Sequence, residues 1–87
     1  MSYIERDGLA IGTQSPEILD YLSNDKHSGV RAEVASNPKT STKTLDKLSL
    51  DKEISVRYHV AQHPNTSAKA LDKLSNDKEK YVRENVA

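Results

Sequence analysis

Apolar residues recur along this chain in short bursts at helical spacing. Val56 and Val60 are four apart with Ala61 beside the second, and Leu71 and Leu74 are three apart. The same spacings return as Val30 and Val34, Leu45 and Leu48, and Leu19 and Leu22. Residues three or four apart share one face of a helix, so each burst predicts a short helix with one apolar stripe. No segment sustains the period-two alternation of a strand. In the middle of the chain the pattern predicts a first helix over roughly 52–62, with Asp51 as its N-cap and Pro64 ending it. A second helix follows over about 68–75, capped by Thr66 or Ser67. Earlier, Ser15 followed by Pro16 is a cap and first-turn signal.

These helix pairs repeat. Val30-Arg31 recurs as Val56-Arg57 and again as Val82-Arg83, and residues 30–55 match residues 56–81 at sixteen of 26 positions. Ser15, Leu19, Asp20, Leu22, Ser23, Asp25 and Lys26 fall on the same frame, whereas Ile4 to Gly12 has diverged from it. One domain over residues 1–87 therefore divides into a diverged N-terminal cap (1–14), the second half of a first repeat (15–29), two repeats (30–55 and 56–81) and a partial repeat (82–87). A helix of this length is unstable alone, and one copy cannot cover its own stripe. Stacking copies answers both problems. The expected fold is all-α: a short α-solenoid of about three 26-residue two-helix repeats. Its most buried residues should be Val30, Val34, Leu45, Leu48, Val56, Val60, Leu71 and Leu74.

The frame Val30-Arg31-Ala32-Glu33-Val34-Ala35-Ser36-Asn37-Pro38-Lys39-Thr40, followed by Leu45 and Leu48 to Asp51, resembles the leucine-rich repeat variant family, over about residues 15–87. The resemblance implies two antiparallel layers of helices, one α and one often 3₁₀, wound into a right-handed, HEAT-like superhelix. A member of that family carries an iron–sulfur cluster on a separate cysteine-rich segment, and this chain has no cysteine. His63 stands where the first copy has Asn37, so the turn there is expected to be bonded differently.

Composition narrows the function. Hydrophobic residues make up 34% of the chain, with no Phe or Trp, so the core has few large side chains to draw on. The lack of cysteine excludes disulfides, thiolate metal sites and Cys nucleophiles. Thirteen Lys and Arg balance thirteen Asp and Glu, without the basic excess usual in nucleic-acid binding. No apolar run is long enough to span a membrane, and Met1 to Gly12 mixes both charges, unlike a signal peptide. A cytoplasmic location with no membrane partner is the expectation.

Two groups of residues are candidates for binding. Tyr58 and His59 occupy the variable positions after Val-Arg, and Arg31, Arg57 and Arg83 share one repeat position that could form an anion-binding stripe. The favoured reading of the arginines is structural: Glu53 and Glu79 precede Arg57 and Arg83 by four residues, and Asp25, Asp51 and Asp77 form a parallel ladder that could bridge to Arg in the same or the next repeat. The second group is a basic patch of Lys43, Lys47, Lys69 and Lys73, four apart within each helix and diluted by Asp46 and Asp72. His59 and His63 have the spacing of two zinc ligands but no evident third, so no metal is expected. No nucleophile–base pattern or Gly-rich phosphate loop appears, so neither catalytic residues nor a cofactor are assigned.

The sequence thus favours a non-enzymatic module that binds a protein or peptide. Nucleic-acid or phosphate binding through the Lys/Arg face is the alternative. At the ends, Tyr3, Ile4, Leu9 and Ile11 are expected to cover the first Leu-bearing helix. Val82 and Val86 are expected to be less covered than Val56 and Val60, which leaves two expectations: a chain cut from a longer array, or, by preference, self-association, most simply a homodimer through the C-terminal edge.

Overall fold

The computed structural model describes residues 1–86; Ala87, the last residue of the partial repeat, lies outside them. The described chain is all-helical: α1 (Tyr3–Gly12), α2 (Pro16–Leu22), α3 (Ser28–Ser36), α4 (Thr42–Leu48), α5 (Ile54–Gln62), α6 (Ala68–Leu74) and α7 (Lys80–Glu84). The starts of α2, α4 and α6 are 26 residues apart, and so are those of α3, α5 and α7.

Serine opens four of these helices. The side chains of Ser2, Ser15, Ser41 and Ser67 accept the backbone N–H groups of Glu5, Ile18, Thr44 and Ala70, satisfying donors that a helix start leaves unpaired. At Ser2 the Glu5 carboxylate also takes the Ser2 N–H, completing a capping box. Helices α3, α5 and α7 start differently. Their N-caps are His27, Glu53 and Glu79, and none of these makes a side-chain cap bond. Instead Asp25, Asp51 and Asp77, two residues upstream, accept the N–H of those residues at 2.9–3.0 Å. Asp51 is therefore not the N-cap of α5 that the sequence suggested.

The threonines also have a different role. Thr66 does not cap α6. Its hydroxyl, like that of Thr40, donates back to the preceding helix, to Val60 O at 2.6 Å and Val34 O at 2.5 Å respectively. Both threonines are buried, and each seals a carbonyl at the end of a helix that a proline stops.

In the packing, α3 lies against α1 and α5, and α5 lies against α7. Helices α2 and α4 pack on the helices that precede and follow them. The molecule is elongated, with extents of 36 × 19 × 15 Å. Leu19, Val30, Val34, Leu45, Leu48, Val56, Val60 and Leu74 are buried together with Ala10, Ala35 and Ala61.

Three expectations fail at the ends. Leu71 is only half-buried, while its counterparts Leu19 and Leu45 are fully buried, because α6 is the last of the series α2, α4, α6 among the described residues and has no neighbour of that series beyond it. Val82 is completely buried rather than partly bare, since α7 docks on α5; Val86 is half-buried. The N-terminal segment forms a true helix whose inward residues are Leu9 and Ala10, while Ile4 and Ile11 face solvent. Tyr3 stacks on His27 with ring centroids 4.2 Å apart. It can do so because Gly29 carries no side chain: a Cβ there would lie 2.9 Å from the Tyr3 hydroxyl.

Candidate functional site

The repeated arginine is the residue whose surroundings are most fully determined. Arg31 donates through Nη1 to the Asp25 carbonyl at 2.7 Å, and through Nε and Nη2 to the two Asp51 carboxylate oxygens at 2.7 and 3.2 Å. Arg57 does the same one unit later, to the Asp51 carbonyl at 2.8 Å and to Asp77 at 2.8 and 3.3 Å. Each guanidinium thus bridges the loop before its own helix and the loop of the next unit. The planar fork of arginine suits this bidentate contact, and lysine cannot reproduce it. Both arginines are buried, so they do not lie on an exposed anion-binding stripe. Their carboxylate comes from twenty residues downstream and not from a glutamate one turn back.

Arg6 makes the same contact, to Asp25 and to the carbonyl of Met1. Sequence comparison missed it because Arg6, Leu9 and Ala10 precede Arg31, Val34 and Ala35 by 25 residues, one short of the repeat period. Arg83 completes the series in part. Nη1 donates to the Asp77 carbonyl, but the side chain is exposed, and no carboxylate among the described residues meets it.

The ion pairs shape the titration of their members. Burial works to raise the pKa of Asp25, but the His27 N–H and the Arg6 guanidinium outweigh it and hold the carboxyl below the ordinary aspartate range. At Asp77 burial is likewise outweighed, by the bond from Arg57 and the Glu79 N–H. The bond to Asp51 raises the pKa of Arg31 further above its ordinary value.

A second series links the turns. Asn37 is buried; its amide donates to the carbonyls of Ala10 and Thr13, and its oxygen accepts the Lys39 N–H. His63, at the equivalent place, contacts the Asn37 carbonyl through Nε2 at 2.7 Å and accepts the Asn65 N–H at Nδ1 at 3.0 Å. Acceptance at Nδ1 assigns the proton to Nε2. The imidazole therefore keeps the accepted bond of the amide and one donated bond, where Asn37 donates two. Both ring nitrogens are committed to backbone, so His59 and His63 do not converge on an ion. No cluster of three metal-ligating side chains occurs among the described residues.

The remaining candidates lie on two faces. Tyr58 is half-buried against the core with its ring edge-on to His59, 5.5 Å between centroids. His59 and Gln62 border a small groove of about 150 Å³ with Pro38 and Pro64. Lys43, Lys47, Lys69 and Lys73 are exposed on α4 and α6. Lys47 reaches back to Asp20 and Asn24 at 3.4 and 3.3 Å. The Thr44 hydroxyl and the Lys47 charge hold Asp20 below the ordinary aspartate range. The other two lysines on α6 have no carboxylate partner among the described residues, and with Lys47 they rim one recess. Compared with known protein families, curated proteins and solved structures, the chain finds no match.

Proposed function

We propose that this chain is a short right-handed α-solenoid of two-helix repeats, similar to the leucine-rich repeat variants, and that it serves as a non-catalytic module for binding a protein or peptide. The observation that carries the reading is the recurring arginine bridge. It ties each loop to the next through bidentate contacts, buried at Arg31 and Arg57 and half-buried at Arg6. A frame joined in this way can vary its outward residues without altering its stacking. Two neighbouring positions vary in this way: Ala32, Tyr58 and Glu84 occupy one, passing from buried to half-buried to exposed, and Glu33, His59 and Asn85, all half-buried, occupy the next. Tyr58 suits recognition because its ring is apolar and its hydroxyl can remain solvated.

The test is affinity capture with the wild-type chain and with the Tyr58→Ala, His59→Ala double variant, after circular dichroism has shown that both are folded. Loss of a specific partner from the folded variant is expected. If every partner is recovered equally by both, the assignment to this face is wrong.

A further inference from the structure

We infer that the recess between α4 and α6 is a docking site for an acidic peptide segment bearing apolar side chains. Lys47, Lys69 and Lys73 stand around it and outnumber its one carboxylate, Asp46; Ser49, Leu50 and Ala70 complete the lining, and the volume is about 290 Å³. The argument comes from how this joint departs from the one before it. Between α2 and α4, Thr44 donates its hydroxyl to Asp20, and Lys47 bridges Asp20 and Asn24, so polar groups satisfy one another across the joint. One repeat later, two residues change together. Thr44 becomes Ala70, which has no hydroxyl to offer, and Asn24 becomes Leu50, which offers no acceptor to Lys73, the counterpart of Lys47. Asp46, the counterpart of Asp20, is taken instead by the Ser67 hydroxyl at 2.7 Å.

The consequence is a cationic rim around exposed hydrocarbon. Leu50 is 68% exposed, whereas Asn24 and Asn76 at the same repeat position each bond back to the last turn of their own helix. Leucine there relinquishes that bond and presents apolar surface to water, which works against the isolated domain. Charge complementarity selects the occupant: carboxylates for Lys69 and Lys73, with an aliphatic side chain between them against Leu50. A nucleic acid would meet the lysines but has no use for the leucine.

The inference rests on the reading of the chain as a protein-binding module, but it uses a different face from Tyr58 and His59. The experiment is fluorescence anisotropy with a labelled short peptide in which leucines are flanked by glutamates. The same peptide with glutamine for glutamate, the same peptide with serine for leucine, and a labelled single-stranded oligonucleotide are run beside it. The acidic, leucine-bearing peptide should bind best. Leu50→Asn should weaken it by about tenfold, and Lys69→Glu with Lys73→Glu by at least as much. Leu50→Asn should fold normally, because it installs the residue found at the two sister positions.

Absence of binding, equal binding of the glutamine peptide, or an affinity indifferent to Leu50→Asn would overturn the proposal. So would an oligonucleotide that binds more tightly than the peptide. If the peptide fails while a partner is still lost on mutating Tyr58 and His59, only this docking site falls. If neither face binds, the module reading falls with it.

Discussion

Replacing Arg57 by Met should be among the most damaging single substitutions in this protein. The Arg57 and Asp77 side chains are 9% and 10% exposed, so the pair belongs to the buried regime, where screening by water is weak. Removing the guanidinium leaves the Asp77 carboxylate with only the Glu79 N–H and deprives the Asp51 carbonyl of its Arg57 bond. Breaking a buried pair from one side costs about 3–5 kcal/mol. A domain of 87 residues has a total stability of about 4–13 kcal/mol, so the variant should lie near the edge of folding. Arg83→Met provides the contrast. That side chain is exposed and bonds only the Asp77 carbonyl, so its loss should cost less than about 1 kcal/mol. Urea unfolding followed by far-ultraviolet circular dichroism measures both. Should Arg57→Met prove too unstable to study, Arg57→Lys keeps the charge and removes the fork, and it should still be clearly destabilised. Equal, small losses at Arg57 and Arg83 would refute the reasoning, because the buried bridge would then hold nothing that the exposed one lacks.

Other consequences can be measured in the same way. Leu48→Ala should cost about 2–5 kcal/mol, whereas Leu71→Ala, at a half-buried site, should cost about 1–2; equal losses in urea melts would contradict the packing at the α6 end. The depressed carboxyls of Asp25 and Asp77 contribute stability that is complete above the ordinary aspartate value and disappears as pH falls through their lower folded values. Their part of the unfolding free energy should therefore hold steady down to about pH 4 and decline below it, and Asp77→Asn should flatten that decline. His63→Asn should be nearly neutral, since an amide already performs this role at Asn37, whereas His63→Ala should cost about 1–3 kcal/mol by removing the ring's bond to the Asn37 carbonyl, which then keeps only the Thr40 N–H, and by leaving a void at a buried site. Thermal melts in which the two His63 variants behaved alike would show that the hydrogen bonds are not what the ring supplies.

What could be read from the sequence is what depends on neighbours close along the chain. Helical stripes such as Val56 with Val60, and serine caps such as Ser15 and Ser67, involve residues three or four apart. The 26-residue period needs only self-comparison, so the all-helical class and the places of α2 to α6 were legible. The roles of polar residues were legible only in part: the aspartate ladder as partner of the arginines could be read, and Arg31–Asp51 and Arg57–Asp77 form it, but the burial of these pairs could not. Asp51 has the composition of a cap, yet its carboxylate is drawn to Arg31, twenty residues back, because folding brings the two loops side by side. Arg31 and Arg57 have the composition of a surface stripe, yet each is buried between consecutive units.

Tertiary structure also decided which residues count as equivalent. Arg6 and Ala10 occupy the places of Arg31 and Ala35 despite a one-residue slip in spacing, since packing against α3 follows the helix face and not the residue count. His63 takes the place of Asn37 because the turn requires one acceptor and one donor at set positions, which an amide and a neutral imidazole both provide. Leu50 shows the converse. Its sequence neighbours resemble those of Asn24 and Asn76, and only its position at the joint of α4 and α6, opposite Lys73, sets it apart. Local periodicity determines where helices form. The partner of a charged or amide side chain is determined by which distant loop the packed helices bring within about 3 Å.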